Sequence, residues 1–552
     1  MTRRIALAAV LIAPALAAAQ EGEDFTRRDR TALLYQTKFL FTADHVPIVN
    51  VGLMENVDLV RFSSDGPVEF LPEWEGGTSV RAGTGRAECR ATLDAGRPAR
   101  IRWWIALARV PARDLDAVRR ERAAWEEKGF RIKTFQRGSV FGFFGRVLDN
   151  RTHVLVEDVP LDDAAGARAR REEVANRTGV ATVELFEEVL ERPSGVVRVA
   201  CQGVDAAMSF PGMVAVAAAP GKLLRVRDVE FGRGFSWHGR EDRSYRGQIH
   251  LTAGRDGRLA IVNAIDAESL LKGLVPSEIW VDAPAEALKA QAVAARSELF
   301  AKLGQRHTAD PYMVCGDVHC QAYRGSSRED PRTSRAVEAT RGEMAFFGDA
   351  LVDAVYSASC GGHTEAGAAV WQGTAHAYLA GTLDAPGGAA ADPLAKGATE
   401  DAVRAFVDSP PKDLHCGLTR QGRESFRWQR KVPLEDVRKG VLEHAGADVG
   451  RVASLKVLAR GVSGRVTRLE VAGDKGSAVL SPELTIRKAL GGLRSSMFVH
   501  EVAGGEVRFR GGGFGHGVGM CQNGAVGMAD RGRKYGEIVG HYYGGAEAVR
   551  IY

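Results

Sequence analysis

The chain has 552 residues, 45% apolar and 26% charged, with a net charge of +5. Its composition is ordinary for globular proteins, and its length points to two to four domains. So weak a basic balance excludes nucleic acid as the main partner, although local arginine patches can still meet an anionic polymer.

The first stretch, "MTRRIALAAVLIAPALAAAQ" (1–20), has two arginines, a short apolar run and small residues in Ala-x-Ala patterns. It reads as a bacterial secretory signal and is short for a membrane span. No second apolar run of spanning length follows. The expectation is therefore an exported protein, in the periplasm or cell envelope, with no membrane span once the signal is removed. Seven cysteines (89, 201, 315, 320, 360, 416, 521) are too few for a disulfide scaffold, and their odd number leaves at least one unpaired.

Residues 46–98 alternate short apolar runs with turn residues and read as β-structure. Residues 99–200 read as strand, helix ending at Gly129, two strands, helix stopped at Gly179, and strand. This β-α-β-β-α-β order is that of a small α+β module. Strands resume from about residue 220, and helices dominate from Asp266 to about Leu303. Residues 380–398 form a low-complexity loop, and strands return in the C-terminal third. The expected fold class is α+β, multi-domain, with β-rich segments around a helical core.

Within the helix-rich block, Asp266 can cap a short helix that Gly273 closes, and Asp282 with Pro284 marks a second start. The apolar residues at 288, 292, 295, 299 and 303 give that second helix one buried face. Glu278 lies between the two, beside Val275, Ile279 and Trp280. Desolvation there would raise its pKa and keep it protonated near neutral pH, as an acid that protonates a glycosidic oxygen must be. A helix-start or salt-bridging glutamate is the competing reading.

Three further clusters carry chemistry. His307, Cys315, His319 and Cys320 fall within fourteen residues and suit tetrahedral zinc, with Asp317 orienting a ligand; a local Cys315–Cys320 disulfide fits the same spacing. Tyr356, Ser357, Ser359, Cys360 and His363 crowd a turn, either as a nucleophile pair or as a tight polar loop. Nine glycines between 511 and 532 surround His516, Met520, Cys521 and Gln522. They run well past one turn, which excludes a phosphate cradle but allows backbone amides to approach a polar polymer.

Together "GLVPSEIW…APAEALKAQAVAARS", "CGDVHCQAYRG", "YSASCGGHTE…VW", "SGRV", "IRKALG…LRSSMF" and "GFGHGVGMCQNGAVGMA…HYYGG" resemble the SpoIID/LytB-type family, named for stage II sporulation protein D. The resemblance covers 220–552 closely and 46–98 more weakly; the 99–200 insert resembles a SPOR-like glycan-binding module. It implies a lytic transglycosylase acting on peptide-stripped peptidoglycan glycan strands, with Glu278 as the essential acid. It also implies a structural zinc ion on His307, Cys315, His319 and Cys320. One carboxyl suffices in such a reaction, because the sugar's own 6-hydroxyl attacks C1. Arg296 or Arg324 would hold the lactyl carboxylate. Tyr323, Tyr356, Trp371 and Tyr542 would stack on sugars. Ser357, Ser359, His363, His516 and Gln522 complete the expected substrate contacts. The LytB side of the family implies the alternative, a non-catalytic glycan binder that enhances a cell-wall amidase.

Overall fold

A computed structural model describes residues 34–35, 39–73, 79–83, 85–143, 146–180, 183–233, 238–317, 319–371, 376–387, 392–419 and 422–552. The expected leader at 1–20 lies outside them. The fold is α+β, with strands and helices mixed along the whole chain.

Two antiparallel-rich sheets make the N-terminal half. A seven-stranded sheet runs in the order Val314–Cys315, Ile48–Val57, Leu259–Asp266, Gln248–Ala253, Met213–Ala218, Val68–Pro72, Val80–Ala82. A six-stranded sheet contains Val60–Ser64, Ala87–Arg97, Ser194–Cys201, Met208–Pro211, Leu224–Phe231 and Gly239–Tyr245. Alternating inward residues such as Val49 and Val51 from one sheet and Val60 and Phe62 from the other share a single core. The strands of 46–98 are thus interleaved with those of 208–266, and Ile48 sits opposite Asp266.

The module at 99–200 grows from a stem formed by two neighbouring strands of the six-stranded sheet. Ala87–Arg97 pairs with Ser194–Cys201 in antiparallel register, placing Cys201 opposite Cys89, and a disulfide joins them across 112 residues of sequence. Closing so long a loop stabilises the fold by about 4–5 kcal/mol in the chain-entropy picture. Beyond the stem, strands Arg100–Pro111, Ile132–Arg137, Thr152–Glu157 and Glu184–Glu191 form a four-stranded sheet under helices Leu115–Glu127 and Ala164–Thr178. Asp114 and Asp163 cap these helices, each accepting a backbone N–H, and Gly179 ends the second in the left-handed conformation. A small hairpin, Val140–Phe143 with Arg146–Asp149, is an addition to the expected order.

Asp266 caps the next helix by accepting the Ser269 N–H at 2.8 Å. That helix, Ala267–Glu278, runs straight through Gly273, which therefore does not close it. Gly273 is needed for packing instead: a Cβ there would stand 2.7 Å from the Gly325 carbonyl and 2.9 Å from the Tyr323 ring. Glu278 is accordingly the last residue of a helix, not a residue between two. The following helix, Ala285–Lys302, begins after Pro284 without a side-chain cap, and Asp282 plays no part in it. It is buried nearly all round, where the spacing predicts one buried face. Its many alanines let Pro331–Ala339, Gln522–Asp530 and Tyr535–Tyr542 pack close on several sides.

Candidate functional site: a buried acid at the floor of a groove

The end of the Ala267–Glu278 helix and one wall of the Ala285–Lys302 helix open onto a cavity of about 1020 Å³. Its lining also comes from Glu55, residues 315–317 and 319–324, Tyr356, Trp371, the Pro482–Arg487 stretch and His516. At its floor, Glu278 is half-buried and its Oε1 accepts the Ala322 N–H at 2.7 Å. Burial pushes this carboxyl up to about 7; Glu298 adds to the rise, while the Ala322 bond, Lys302 and Arg324 oppose it. Gln522 is buried and donates to the Glu278 backbone carbonyl at 2.7 Å and to Gln291 at 3.1 Å. It holds the helix end in place and is corrected from a substrate contact to a positioning residue.

The groove contains a charged pair that sequence patterning missed. Glu298 and Lys302, one helical turn apart, form a buried ion pair on the groove wall. Burial raises Glu298, with the Lys302 ammonium opposing. An acid and a base four residues apart at the C-terminal end of that helix were the available signal. Arg306 and Arg487 add cations to the lining, Arg487 lying 3.4 Å from Glu483.

His516 lines the groove with its ring centroid 4.7 Å from that of Trp371, which is exposed at the rim. Its Nδ1 accepts the Val518 N–H at 3.0 Å, so Nε2 carries the proton. Burial, with Arg465, Lys302 and Arg487 adding repulsion, pushes it down to about 3, leaving it neutral at physiological pH. Tyr356 lines the same groove and donates to Gln321 at 3.3 Å; Arg324 stands over the Phe231 ring.

Several expected contacts fall elsewhere. Arg296 is fully buried and grips Glu268 with Nε and Nη2, both at 2.8 Å, so it is a core ion pair and unavailable to substrate. The Tyr323 ring is buried, its hydroxyl donating to Asn263 at 3.0 Å. Tyr542 is buried too and donates to Asp384 at 2.6 Å. Ser359 has no exposed surface and bridges Phe514 through its backbone. Ser357 is buried behind Gly515. His363 faces a different cavity, of about 630 Å³, where its Nε2 meets Asp392 at 3.0 Å. The "SGRV" motif is likewise internal: Arg465 donates to the carbonyls of Cys360 and His363, and Ser463 to Glu365. The glycines of 513–519 let the chain wrap that arginine, so only Gly515 and His516 of this loop reach the groove.

Beside the groove, His307, Cys315, His319 and Cys320 converge. His307 Nε2 is 3.3 Å from both Cys320 Sγ and His319 Nδ1, and Cys315 Sγ is 3.8 Å from His319 Nδ1. Edges of a tetrahedral zinc site with S and N ligands are about 3.3–3.8 Å, so the set fits that ion. Both cysteines are free thiols, which removes the local disulfide. Asp310 orients His307 at 2.9 Å, whereas the Asp317 carboxylate accepts backbone N–H groups of Gly232 and Arg233.

Fold and site together define a class: an α+β protein with a half-buried carboxyl of raised pKa at the floor of a groove lined by charges of both signs, with Gly515 and His516 of a glycine-dense loop at its edge. Residues 255–347 match the family model described as Stage II sporulation protein, and residues 365–519 match one described as Domain of unknown function (DUF8618). The chain is 29% identical over 300 residues to the amidase enhancer of Bacillus subtilis, covering 50% of this chain and 39% of that one. It is 28% identical over 301 residues to the stage II sporulation protein D of Bacillus amyloliquefaciens, covering 52% of this chain and 75% of that one. An uncharacterized protein of Brachyspira hyodysenteriae is 27% identical over 321 residues, covering 57% and 74%. The chain thus carries a segment of the Stage II sporulation protein family over residues 255–347 and is similar to SpoIID/LytB-type proteins.

Proposed function

We propose that this protein is a lytic transglycosylase that cleaves peptidoglycan glycan strands, preferably those stripped of peptide, to 1,6-anhydro-muramic ends. The observation that carries this reading is the Glu278 carboxyl, raised to about 7 at the floor of a cavity of about 1020 Å³. A carboxylic acid that still holds its proton near neutral pH can give it to the glycosidic oxygen as the C1–O bond breaks. The 6-hydroxyl oxygen of the same ring then bonds to C1, and its proton passes to the Glu278 carboxylate, restoring the acid. No water and no second carboxylate are consumed. Arg324, with Arg306 and Arg487 in the same lining, supplies charge for lactyl carboxylates. Trp371 at the rim and Tyr356 in the wall offer faces for sugar rings.

Zinc on His307, Cys315, His319 and Cys320 would act structurally, clamping the segment whose Ala322 N–H holds Glu278. The module at 99–200 is read as a SPOR-like grip on the same polymer; its four-stranded sheet carries Trp104, Phe135 and Phe186 on the face away from its helices, with Lys133 and Arg137 over their rings. The protein would work outside the cytoplasm, where the Cys89–Cys201 bridge persists. The amidase enhancer among its relatives favours a second reading, a glycan binder that stimulates a cell-wall amidase without cutting glycan. Mass spectrometry of peptide-free glycan incubated with the protein decides between them. Anhydro ends support the transglycosylase, new reducing ends overturn it in favour of a muramidase, and unchanged glycan with retained binding supports the enhancer.

A further inference from the structure

Three of the chain's five free cysteines take no part in the groove or in the cluster beside it. Cys360 lies in a glycine turn, Cys416 in a short 3-10 turn, and Cys521 at the cap of the Gln522–Asp530 helix. The fold brings them together with Asp384, and all four side chains have no exposed surface.

From this arrangement we propose a second metal site, a closed structural zinc centre with Cys360, Cys416, Cys521 and Asp384 as its ligands. The four ligand atoms lie within 4.8 Å of one another. Cys360 Sγ is 3.7 Å from Cys416 Sγ and 3.3 Å from Asp384 Oδ2. With Zn–S near 2.3 Å and Zn–O near 2.0 Å, a tetrahedron has S···S edges of about 3.8 Å and S···O edges of about 3.5 Å. A disulfide needs sulfurs about 2.05 Å apart.

The surroundings are those of a thiolate centre. Cys521 Sγ accepts the N–H of Cys360 at 3.1 Å and of Gly524 at 3.3 Å, and Cys360 Sγ accepts that of Gly362 at 3.4 Å. Asp384 is aimed by the Tyr542 hydroxyl on one oxygen and by the Cys416 N–H on the other. Three thiolates and a carboxylate select zinc over harder cations, and four protein ligands leave no open coordination position. The role follows from position. The ion would tie Cys360 and Cys416 to Cys521, and Gln522, the next residue, holds the carbonyl of Glu278.

The test uses the full chain with both outer cysteines removed, Cys315→Ser/Cys320→Ser, prepared under reducing conditions and equilibrated with zinc chloride. One zinc per chain with an X-ray absorption shell of three sulfurs and one light atom is expected. Stripping it with a chelator should lower the thermal midpoint by roughly 5–10 °C. Adding Asp384→Asn, a change that keeps shape, should weaken zinc retention at least tenfold in competition with a chromophoric chelator. A folded double variant that holds no zinc, a shell containing nitrogen from histidine, or peptide mapping that finds a Cys360–Cys416 bridge would each overturn the assignment.

Discussion

The two ends of one helix carry two carboxylates with opposite fates, Glu268 buried and Glu278 half-buried. Glu268, in the first turn, is met by Arg296 with two hydrogen bonds, by the Tyr552 hydroxyl at 2.8 Å and by the Gly342 N–H. Glu278, at the last residue, receives a single hydrogen bond on its carboxyl among the described residues, from Ala322. The first is a charge fully compensated inside the core, and the second is an acid from which compensation is withheld. Burial alone therefore does not make a catalytic carboxyl. What distinguishes the two is the supply of donors and a cavity on one side.

The sharpest way to break this contrast is Glu278→Gln. Loss of anhydro product by about 10²–10⁴-fold is expected, with glycan binding retained; full cleavage by the variant would end the acid's role. At the other end, Arg296→Met strands Glu268 and should cost about 3–5 kcal/mol of stability in urea unfolding, whereas the pH profile of the folded fraction stays put.

Proton linkage sharpens it further. The folded pKa of Glu278 lies above its ordinary value of 4.5, so its contribution to stability is complete below about 4.5 and is lost as pH rises through about 7. Glu278→Gln should accordingly be more stable than the parent above pH 8, by about 3 kcal/mol. Cleavage should fall as pH rises through about 7, and His516→Ala should leave that limb in place, because His516 is neutral throughout the range. The smallest effect belongs to Arg324→Ala. It should weaken glycan binding by about two- to fivefold and move the limb slightly upward, since this arginine draws the Glu278 pKa down.

Legibility followed sequence distance. The Asp266 cap, the helices ending near Gly129 and Gly179, and the strands of the C-terminal third depend on neighbours a few residues apart, and local patterning reads them. His307, Cys315, His319 and Cys320 also sit close together in the chain, so their convergence could be anticipated. Arg296 was misread because an arginine on a helix near a motif looks the same whether it faces solvent or Glu268. His363 was misread because the turn that holds it opens toward Asp392 instead of the groove.

What the sequence by itself determined was the inventory: the α+β alternation, the helix start at Asp266, a glutamate among apolar neighbours, and a short run of zinc-type ligands. Only the tertiary structure decided which acids are compensated, that Gln522 braces Glu278, and that Cys360, Asp384, Cys416 and Cys521 meet. The reason is that desolvation and ligand geometry are sums over atoms far apart in the chain, and no local pattern encodes those sums.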